Sequence, residues 1–424
     1  MRAALRLAYE GAARVANALS MLAPPSNDKL IATFAARRGV LDRYESFVRD
    51  RAHPLLWMHA PSVGEGLQAR PVLDLLRARR AQMQLAYTYF SPSARAFAAH
   101  LAVDFRDVLP FDSTPHVRRA LGALEPTALV FSKLDVWPTL AREASTRGTR
   151  LGLISATLSE RSSRRSGLAM AVLRDAYGKL DRVGAVSAED ADRLIAMGVP
   201  SSRVTVTGDT RYDQVWARAH ATDRTSTILS SLASDRPTLV AGSTWPADES
   251  VLLPAWSRLA ASHPRARLII APHEPGHAHL VPIERWAESG GHRLARLGDP
   301  DVAGADVVLV DQVGVLGDLY ALASVAYVGG GFHSAGLHSV LEPAAFGAPV
   351  IFGPAHASSR DARLLLDADA AVRVTDAASI GAALESWITD GDARGEAGEA
   401  ARAVVHLGLG AAERSYDLVT QLIG

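Results

Sequence analysis

Short apolar runs alternate with helical patterns along most of the chain. In the first half, six such runs predict strands at 55–60, 84–89, 127–132, 150–155, 182–187 and 203–207. Helical periodicity fills the gaps between them, for instance at 67–80 and 138–147. Repeated β-α alternation is typical of a parallel sheet with helices on both faces.

A second β-α series follows residues 218–236, whose Ser, Thr, Ala and Asp content predicts a helix and then a linker. Seven further strands are predicted at 238–242, 266–271, 293–297, 306–310, 325–329, 349–352 and 371–374. Each half opens with a strand and then a loop of small residues that holds an acid, HAPSVGEG in the first and GSTWPADE in the second.

The two series predict an α/β protein with two Rossmann-like domains, at 26–217 and 237–405, that face each other across a cleft. In open α/β sheets ligands bind beyond the carboxyl ends of the strands. We therefore expect functional residues in the loops that follow the strands. Residues 406–424 predict a C-terminal helix, amphipathic at 411–423, that packs back on the first domain.

Residues 1–25 predict an amphipathic N-terminal helix. Charges at Arg2, Arg6, Glu10 and Arg14 interrupt it, which makes it a poor membrane span and a poor signal peptide. These residues share one sector of a helical wheel with Asn17 and Ser20, and the other side carries Leu5, Val15, Leu19 and Leu22. The pattern leaves two alternatives open, a helix packed on its own domain and a helix lying in a membrane interface.

Composition narrows the function classes. The chain has 424 residues, which indicates two domains, and its formal net charge is zero, which argues against nucleic-acid binding through a global basic field. It contains no cysteine, so thiol nucleophiles, disulfides and cysteine metal sites are excluded. Three of the 45 basic residues are lysines, leaving 42 arginines. A lysine retained in such a background, such as Lys133, is a candidate for specific chemistry.

Several common cofactor motifs are missing from the sequence. There is no GxGxxG after the first strand, no GxxxxGK[ST] and no HExxH. The cluster HEPGHAH contains His273, His277 and His279, which have the side chains of metal ligands. Because Pro275 and Gly276 predict a loop there, a substrate contact is favoured over a metal. We predict no metal and no cofactor.

The strongest motif is VGGGFHSAGLHSVLEPAAFGAPVIFGP, residues 328–354. Gly330, Gly331 and Gly336 predict a loop where the backbone can approach a ligand closely. A helix is predicted from His338 or Ser339 to Gly347, and its N-terminus beside the glycines is typical of an anion site. The residue Glu342 then either compensates the helix dipole or accepts hydrogen bonds from the hydroxyls of a ribose.

The loop SVGEG has two interpretations, as the start of a helix and as part of a catalytic site. Ser62 and Glu65 have the spacing of a capping box, a device that starts helices. Gly64 and Gly66 argue against that role alone, because glycine is a poor helix former and leaves space for a substrate near the carboxylate. Both roles are compatible if Ser62 caps the helix while Glu65 faces the cleft.

Further candidates lie at other strand ends. Ser243 and Thr244 have hydroxyls suited to a phosphate, or to capping a helix. Lys133 either contacts a substrate or forms a salt bridge with Asp135 or another acid. Arg211 follows the last strand of the first half and is a candidate cation for a phosphate.

At these residues the chain resembles the 3-deoxy-D-manno-octulosonic acid (Kdo) transferases of lipid A assembly. The resemblance covers nearly the whole chain in order. Its seven blocks are HAPSVGEGLQARP, YTYFSPSA (87–94), FSKLDVWP (131–138), GDTRYD (208–213), GSTWPADE (242–249), APHEP (271–275) and the glycine-rich motif. Seven ordered blocks are far more specific than any one of them.

The resemblance implies an inverting glycosyltransferase of the GT-B type that needs no metal. The donor would be CMP-Kdo and the acceptor a lipid A precursor, with the N-terminal helix on the cytoplasmic face of the bacterial inner membrane. It implies that Glu65 is the general base. Positions matching the donor site are Ser243, Thr244, Pro272, His273, Gly314, His338 and Glu342, to which we add Gly330, Gly331, Ser339, Arg211 and Lys133. On the acceptor side we place Ser62, Gly64, Gly66 and Ser91.

The chain departs from the family pattern at two places. Ser339 stands where the family commonly has asparagine, so one donor contact is lost or bridged by water. Many members have Pro-Arg-His where this chain has Ala271, Pro272 and His273. Two alternative functions stay open: a GT-B enzyme that uses a UDP- or GDP-sugar, and a non-catalytic relative that binds lipid or acts as a scaffold.

Overall fold

The structure is a computed structural model that describes residues 3–24, 26, 28–159, 162, 164, 167–334 and 336–424. Arg2, which contributes to the predicted N-terminal pattern, and the end of that segment at Pro25 lie outside the described residues. The chain forms two compact units. The first comprises Met1–Gln214 and Leu409–Gly424, and the second comprises Val215–Gly408.

The first unit contains a seven-stranded parallel sheet in the order β3-β2-β1-β4-β5-β6-β7. Most of its strands are buried along their length, as expected where helices cover both faces of a sheet. The strands are β1 (Leu55–His59), β2 (Gln84–Tyr89), β3 (Phe105–Val108), β4 (Ala128–Ser132), β5 (Arg150–Ala156), β6 (Arg182–Ala185) and β7 (Val204–Val206).

Strand β3 is the one element of this sheet that the hydrophobic pattern missed. Its sequence FRDV places Arg106 and Asp107 in the middle of the strand. The strand is tolerated at the sheet edge because Arg106 is exposed and because the carboxylate of Asp107 pairs with Arg43.

Helices connect these strands. They are α1 (Ala3–Leu22), α2 (Lys29–Ala35), α3 (Val40–Glu45), α4 (Val63–Arg79), α5 (Arg95–Ala99), α6 (Thr114–Leu124), α7 (Pro138–Thr146), α8 (Gly167–Tyr177), α9 (Ala188–Ala196) and α10 (Arg211–Ala221). The boundary between the two units falls within α10.

The second unit contains another seven-stranded parallel sheet, in the order β10-β11-β9-β8-β12-β13-β14. Its elements are α11 (Thr227–Ser231), β8 (Thr238–Thr244), α12 (Pro246–Ser262), β9 (Arg267–Pro272), α13 (His277–Ser289), β10 (Leu294–Arg296), β11 (Val307–Leu309), α14 (Leu316–Leu319), β12 (Val325–Val328), α15 (Leu341–Ala345), β13 (Val350–Phe352), α16 (Arg360–Asp367), β14 (Ala371–Arg373), α17 (Ala377–Thr389) and α18 (Gly391–Leu407). The last helix, α19 (Ala411–Thr420), belongs to the first unit.

Each sheet reverses its strand order at one point, between β1 and β4 in the first unit and between β8 and β12 in the second. At such a point the connections leave in opposite directions and open a crevice at the carboxyl ends of the strands. The α/β class, with two Rossmann-like sheets and an N-terminal helix, is therefore confirmed.

Residues 218–236 begin in a helix, as predicted, but the part predicted as a linker is also partly helical. They contain the end of α10 and all of α11. Leu229 and Leu232 are buried in an apolar cluster of the second unit. The segment is thus packed against the sheet that it precedes.

The helix α1 is oriented differently from an ordinary surface helix, which turns its apolar side toward the core. Its polar side faces the first unit, where Tyr9 donates to Asp112 at 2.9 Å, Thr114 donates to Glu10, and Asn17 donates to Ser113 at 3.2 Å. Its apolar side is exposed, with Leu22 at 81% and Val15 at 60% of their full accessibility. No helix among the described residues is long and apolar enough to cross a bilayer.

Candidate functional site

Glu65 lies at the switch point of the first sheet, in the first turn of α4, which follows β1. Its carboxylate accepts a hydrogen bond from the hydroxyl of Ser62, and its other oxygen lies 3.1 Å from the ammonium of Lys133. Burial alone would raise the pKa of Glu65. The Ser62 hydroxyl and the Lys133 charge outweigh it and hold the pKa below its ordinary value. Glu65 is therefore ionised at neutral pH.

The predicted capping box does not form. Ser62 occupies the N-cap position in an extended conformation, but its hydroxyl makes no capping bond to the backbone and instead donates to Glu65. The carboxylate of Glu65 is drawn toward Lys133, because an ammonium group attracts it more strongly than a neutral amide does.

The two glycines around Glu65 have different roles. A side chain at Gly64 would meet only the Ser62 hydroxyl, at 3.8 Å, so this position leaves open space. A Cβ at Gly66 would lie 2.5 Å from the Phe97 ring and 2.7 Å from the hydroxyl of Tyr87. The expectation that both glycines make room for a substrate is thus wrong for Gly66, which is required by close packing within the protein.

Lys133 follows β4 and has a left-handed backbone, with φ at 67°. This conformation is uncommon for a residue with a side chain and is a form of local strain seen at functional positions. Its ammonium pairs with Glu65 and is 43% exposed. Of the two predicted interactions for Lys133, the structure shows a salt bridge, made with Glu65 rather than Asp135.

Ser91 is held next to Ser62 by the backbone. The amides of Phe90 and Ser91 both donate to the carbonyl of Pro61, at 3.0 and 2.9 Å. The Ser91 hydroxyl lies 2.8 Å from that of Ser93. The structure therefore brings the predicted acceptor-side residues together at the carboxyl edge of β1 and β2.

Arg211 begins α10 and is anchored within the first unit. Its guanidinium donates twice to Asp209, at 2.9 and 2.7 Å. Asp209 also accepts from Gln68 of α4, one turn beyond Glu65. Burial would raise the pKa of Asp209, but Arg211 and Gln68 hold it below its ordinary value.

A polar network beside Glu65 was missed by the sequence interpretation. The buried His59 ends β1, and its ring contacts the hydroxyl of Thr88 at 2.9 Å and the indole nitrogen of Trp137 at 3.1 Å. The same indole donates to Asp135 at 3.0 Å. This network fixes the loop after Lys133. Its only signal in the sequence is a histidine at the end of an apolar strand.

In the second unit, Asp248 holds the glycine-rich loop in place. This fully buried carboxylate accepts hydrogen bonds from the amides of Trp245, Gly330 and Phe332, at 2.8 to 3.1 Å, and from the hydroxyl of Tyr327. It therefore joins the loop after β8 to the loop after β12. Asp248 stands within the block GSTWPADE, but its spacing there gives no sign of partners more than 80 residues away.

The role predicted for the glycines of this loop needs correction. A Cβ at Gly330 would lie 2.2 Å from the carbonyl of Gly336, and one at Gly331 would lie 2.4 Å from the amide of Gly353. Both glycines are required by backbone packing inside the unit. The amides of Gly330 and Phe332 are used by Asp248, so they do not point at a ligand.

Four aromatic rings cluster beside this loop. The indole of Trp245 stacks on His333 at 4.2 Å with 5° between the planes, and it contacts His273 at 4.7 Å. It also donates to Nε2 of His338 at 3.1 Å. Burial and the neighbouring histidines lower the pKa of His338 to about 4, so this ring is neutral near pH 7. The sequence predicted two of these rings, His273 and His338, and missed Trp245 and His333.

Ser243 and Thr244 end β8 with different surroundings. Ser243 has φ at 53°, which turns the chain so that its carbonyl packs against Gly329. The buried hydroxyl of Thr244 donates to Glu249 at 2.8 Å. Neither residue caps α12, whose N-cap position is Trp245. Pro272 ends β9, and the amide of His273 donates to the carbonyl of Thr244.

The predicted helix from His338 or Ser339 begins later. Helix α15 starts at Leu341 and has five residues, and Ser339 is exposed ahead of it. Pro343 gives the physical reason. It is the third residue of α15, where its missing N–H is not needed, whereas an earlier start would place it inside the helix. The expected anion site at a helix start near His338 is therefore not formed.

Glu342 and Gly314 come together through Arg218. Burial raises the pKa of Glu342, and the positive charge of Arg218 partly opposes this. Arg218 also pairs with Asp318 at 3.1 Å and donates to the carbonyl of Gly314 at 3.3 Å. Arg218 lies at the start of 218–236, predicted as a helix and then a linker without functional residues, which is why it was missed.

The histidine-rich stretch is partly helical. His277 and His279 lie in the first turn of α13, and His273 precedes it. In the part of the chain that the structure describes, no group of three or more His, Asp or Glu residues is placed to hold a metal ion.

The chain is similar in sequence to proteins of one family. A sequence profile of the family described as 3-deoxy-D-manno-octulosonic-acid transferase (kdotransferase) matches residues 33–214. A 3-deoxy-D-manno-octulosonic acid transferase of Bordetella pertussis is 30% identical over 380 residues, which cover 87% of each chain. One of Haemophilus influenzae is 26% identical over 372 residues, covering 86% of each.

The fold is similar to that of solved nucleotide-sugar enzymes. A UDP-GlcNAc 2-epimerase from Neisseria meningitidis superposes with a TM-score of 0.64 at 13% identity. The match covers 87% of this chain and 100% of that one. At this identity the likeness shows the fold alone, which is GT-B-like.

Proposed function

The chain belongs to the 3-deoxy-D-manno-octulosonic acid (Kdo) transferase family, and on this premise we propose that it transfers Kdo from CMP-Kdo to a lipid A precursor in lipopolysaccharide biosynthesis. The observation that carries the proposal is the ionised Glu65 at the switch point of the first sheet, held between Ser62 and Lys133. A carboxylate placed there has the charge state that a general base requires.

The proposed reaction is a single displacement with inversion. Glu65 takes the proton from an acceptor hydroxyl while the oxygen of that hydroxyl forms a bond to the anomeric carbon of Kdo. The bond from that carbon to the phosphate oxygen breaks, and CMP leaves with the electron pair. Lys133 keeps Glu65 ionised and, being 43% exposed, retains hydrogens for the carboxylate of Kdo.

We assign the nucleotide to the second unit. The exposed ring of His273 lies beside Trp245 next to the end of β8, and an aromatic ring suits a pyrimidine base. Glu342 is proposed to accept hydrogen bonds from the ribose, with Ser243, Thr244, Pro272, Gly314 and His338 around the donor. Asp248 is a positioning residue for this site, because it fixes Gly330 and Trp245 without facing a ligand.

We further propose that the protein acts at the cytoplasmic face of the inner membrane as a peripheral protein. The support is the exposed apolar side of α1, whose polar side is fixed to the first unit by Tyr9, Glu10 and Asn17. A helix oriented in this way presents leucines for insertion between lipids while its unit stays in water.

The test replaces Glu65 by glutamine and measures products by mass spectrometry after incubation with CMP-Kdo and a tetraacylated lipid A precursor. Removing a general base costs about 10²- to 10⁴-fold in turnover, so we expect Glu65→Gln to fall in that range. Glu396→Gln, which changes an exposed glutamate of α18, is the matched control. Near-normal turnover by Glu65→Gln would show that the base is another residue.

The donor assignment has its own test. Equilibrium binding of CMP, UDP and GDP to the wild-type protein is compared by calorimetry. Preference for CMP supports the proposal. Tighter binding of UDP or GDP would favour a glycosyltransferase of another donor class.

A further inference from the structure

The first unit contains a cavity lined by charged side chains that the proposed reaction does not use. A cavity of about 560 Å³ lies among α2, α3, β2, β3 and α5. Ligand pockets commonly measure about 300–1,000 Å³. The polar lining comprises Arg38, Arg43, Arg95, Arg106, Tyr89 and Asp107. We call this space the arginine cavity.

The charge of the arginine cavity is not balanced by its own lining. Asp107 is the one acid among the lining residues. It is paired with Arg43, which donates to it at 2.6 and 3.0 Å. The other three arginines have no lining acid to neutralise them. The cavity therefore attracts an anion.

The remaining arginines differ in how they are held. Arg106 donates to the carbonyls of Ala99 and Val103, at 2.6 and 3.0 Å, and Arg38 donates to the carbonyl of Ala23. These neutral acceptors orient the guanidinium groups without cancelling their charge. Arg95 is exposed at the start of α5. Oriented guanidinium groups match the paired oxygens of a phosphate.

The location of the cavity indicates what carries the anion. On one side the cavity is bordered by the end of α2, whose Leu30 and Ile31 are exposed. On the other side lies α5, whose Phe97 ring closely approaches Gly66, the neighbour of Glu65. The cavity thus lies between the exposed apolar residues of α2 and the helix α5, which packs against the start of α4 next to Glu65.

A lipid with a phosphorylated sugar head group fits this arrangement. Its acyl chains would lie along the apolar side of α1 and α2, its phosphate in the arginine cavity, and a sugar hydroxyl at Glu65. We propose that the arginine cavity binds a phosphate group of the glycolipid acceptor. This inference rests on the proposed function, because that function supplies the acceptor.

The experiment compares Arg95→Gln and Arg106→Gln with the wild type, using the same detergent-dispersed acceptor with and without its phosphates. One charge-assisted contact of a partly exposed group corresponds to about a tenfold change. We expect each variant to raise KM for the phosphorylated acceptor about tenfold, with KM for CMP-Kdo and kcat near the wild-type values. With the dephosphorylated acceptor the variants and the wild type should be equal.

Arg80→Gln is the matched control, because Arg80 is exposed in the same unit at the end of α4 and does not line the cavity. An equal rise of KM for both forms of the acceptor would overturn the inference. A second arm measures sedimentation with phosphatidylcholine vesicles that contain phosphatidylglycerol. If the variants lose vesicle binding but keep KM for the phosphorylated acceptor, the cavity binds phospholipid head groups and the acceptor assignment is wrong.

Failure of the inference can be separated from failure of the proposed function. The phosphorylated disaccharide without acyl chains is titrated into the wild type and Arg95→Gln by calorimetry, with no donor present. Binding that is lost in Arg95→Gln supports the cavity even if no Kdo transfer occurs. Equal binding to both proteins overturns the cavity assignment even if transfer is efficient.

Discussion

At the scale of single residues, the most informative contact is the pair formed by Glu65 and Lys133. The two residues are separated by 68 positions in the chain but follow the two strands that flank the switch point of the first sheet. The pair makes the carboxylate a weaker base than an isolated buried glutamate and keeps it ionised over a wider pH range. The Ser62 hydroxyl acts in the same direction.

Replacing Lys133 by methionine tests this electrostatic coupling. The ammonium lowers the pKa of Glu65, so without it burial raises that pKa and the base becomes protonated at higher pH. The acid limb of the kcat/KM profile should therefore shift upward, and the deficit relative to the wild type should grow as pH falls. Lys179→Met controls for the loss of a lysine. An unchanged acid limb would show that Glu65 is not the titrating base.

At the scale of elements, the glycine-rich loop shows how a buried carboxylate organises irregular backbone. Asp248 stands in the first turn of α12, where a negative charge is favoured by the helix dipole. Its carboxylate accepts hydrogen bonds from the amides of Gly330 and Phe332, which follow the end of β12. Backbone amides at the ends of strands need such acceptors when they are buried.

Changing Asp248 to asparagine should destabilise this loop. The amide group has one acceptor oxygen and presents N–H groups to donors, so buried amides lose their partner. We expect a loss of about 2–3 kcal/mol in the free energy of unfolding, measured with urea, and a raised KM for the donor. Tyr327→Phe removes one donor and leaves the backbone contacts, so it should cost about 1 kcal/mol. Equal stability of Asp248→Asn and the wild type would contradict this role.

Helix α1 is a second element, and its orientation bears on the proposed membrane association. The helical wheel of this segment showed a polar and an apolar face, but it did not show which face would contact the first unit. Part of the polar face is held against the first unit, because Asp112, Thr114 and Ser113 give its side chains specific partners. Arg6 and Arg14 of the same face stay exposed. The apolar face stays exposed, and in the proposed function it contacts the membrane.

The double substitution of Leu19 and Leu22 by serine tests that surface. Full burial of a leucine contributes about 1.5–3 kcal/mol, so partition into phosphatidylglycerol vesicles should fall at least tenfold. Kdo transfer to detergent-dispersed acceptor should change less than transfer to acceptor in vesicles. Val48→Ser, at an apolar residue with 84% exposure outside α1, should leave partition unchanged. Equal vesicle binding of the double variant and the wild type would exclude α1 as the anchor.

At the scale of the whole molecule, the chain returns to its first unit after completing the second. Tyr416, Leu418, Val419 and Leu422 belong to the apolar core of the first unit. A methyl group of Leu422 packs against Gly152 of β5. It lies only 2.6 Å from the position that a Cβ on this glycine would occupy. The last residues are therefore part of the core that supports β5 and β6.

The substitution Leu422→Ala should weaken the first unit. Removing a buried leucine side chain costs about 2–5 kcal/mol, and a residue near the terminus is expected toward the lower end. Hydrogen exchange of the amides in Arg150–Ala156 should become faster. Leu407→Ala, at a leucine with 85% exposure at the end of α18, should change stability by less than about 0.5 kcal/mol. Unchanged exchange in Leu422→Ala would show that the C-terminal segment does not support this strand.

The sequence by itself determined the class of fold and nearly all of the strands, and its resemblance to the Kdo transferases singled out Glu65 as the candidate base. These features are local, because apolar runs, helical periodicity and glycine-rich blocks each act within a few residues. Strand β3 was missed because it carries two charged residues, and the partner of Asp107 is Arg43, far away in the chain. The predicted start of a helix near His338 failed because Pro343 and the preceding irregular residues set a later start.

Only the tertiary structure decided which partners these residues meet. It paired Lys133 with Glu65, placed Asp248 under the glycine-rich loop, gathered Trp245 and His333 around the two predicted histidines, and turned the apolar side of α1 outward. It also showed that Gly66 and Gly331 are required by packing. The physical reason is common to all of these. Hydrogen bonds, ion pairs and close contacts depend on distances in space, and residues remote in the chain are brought together by the order of strands in a sheet.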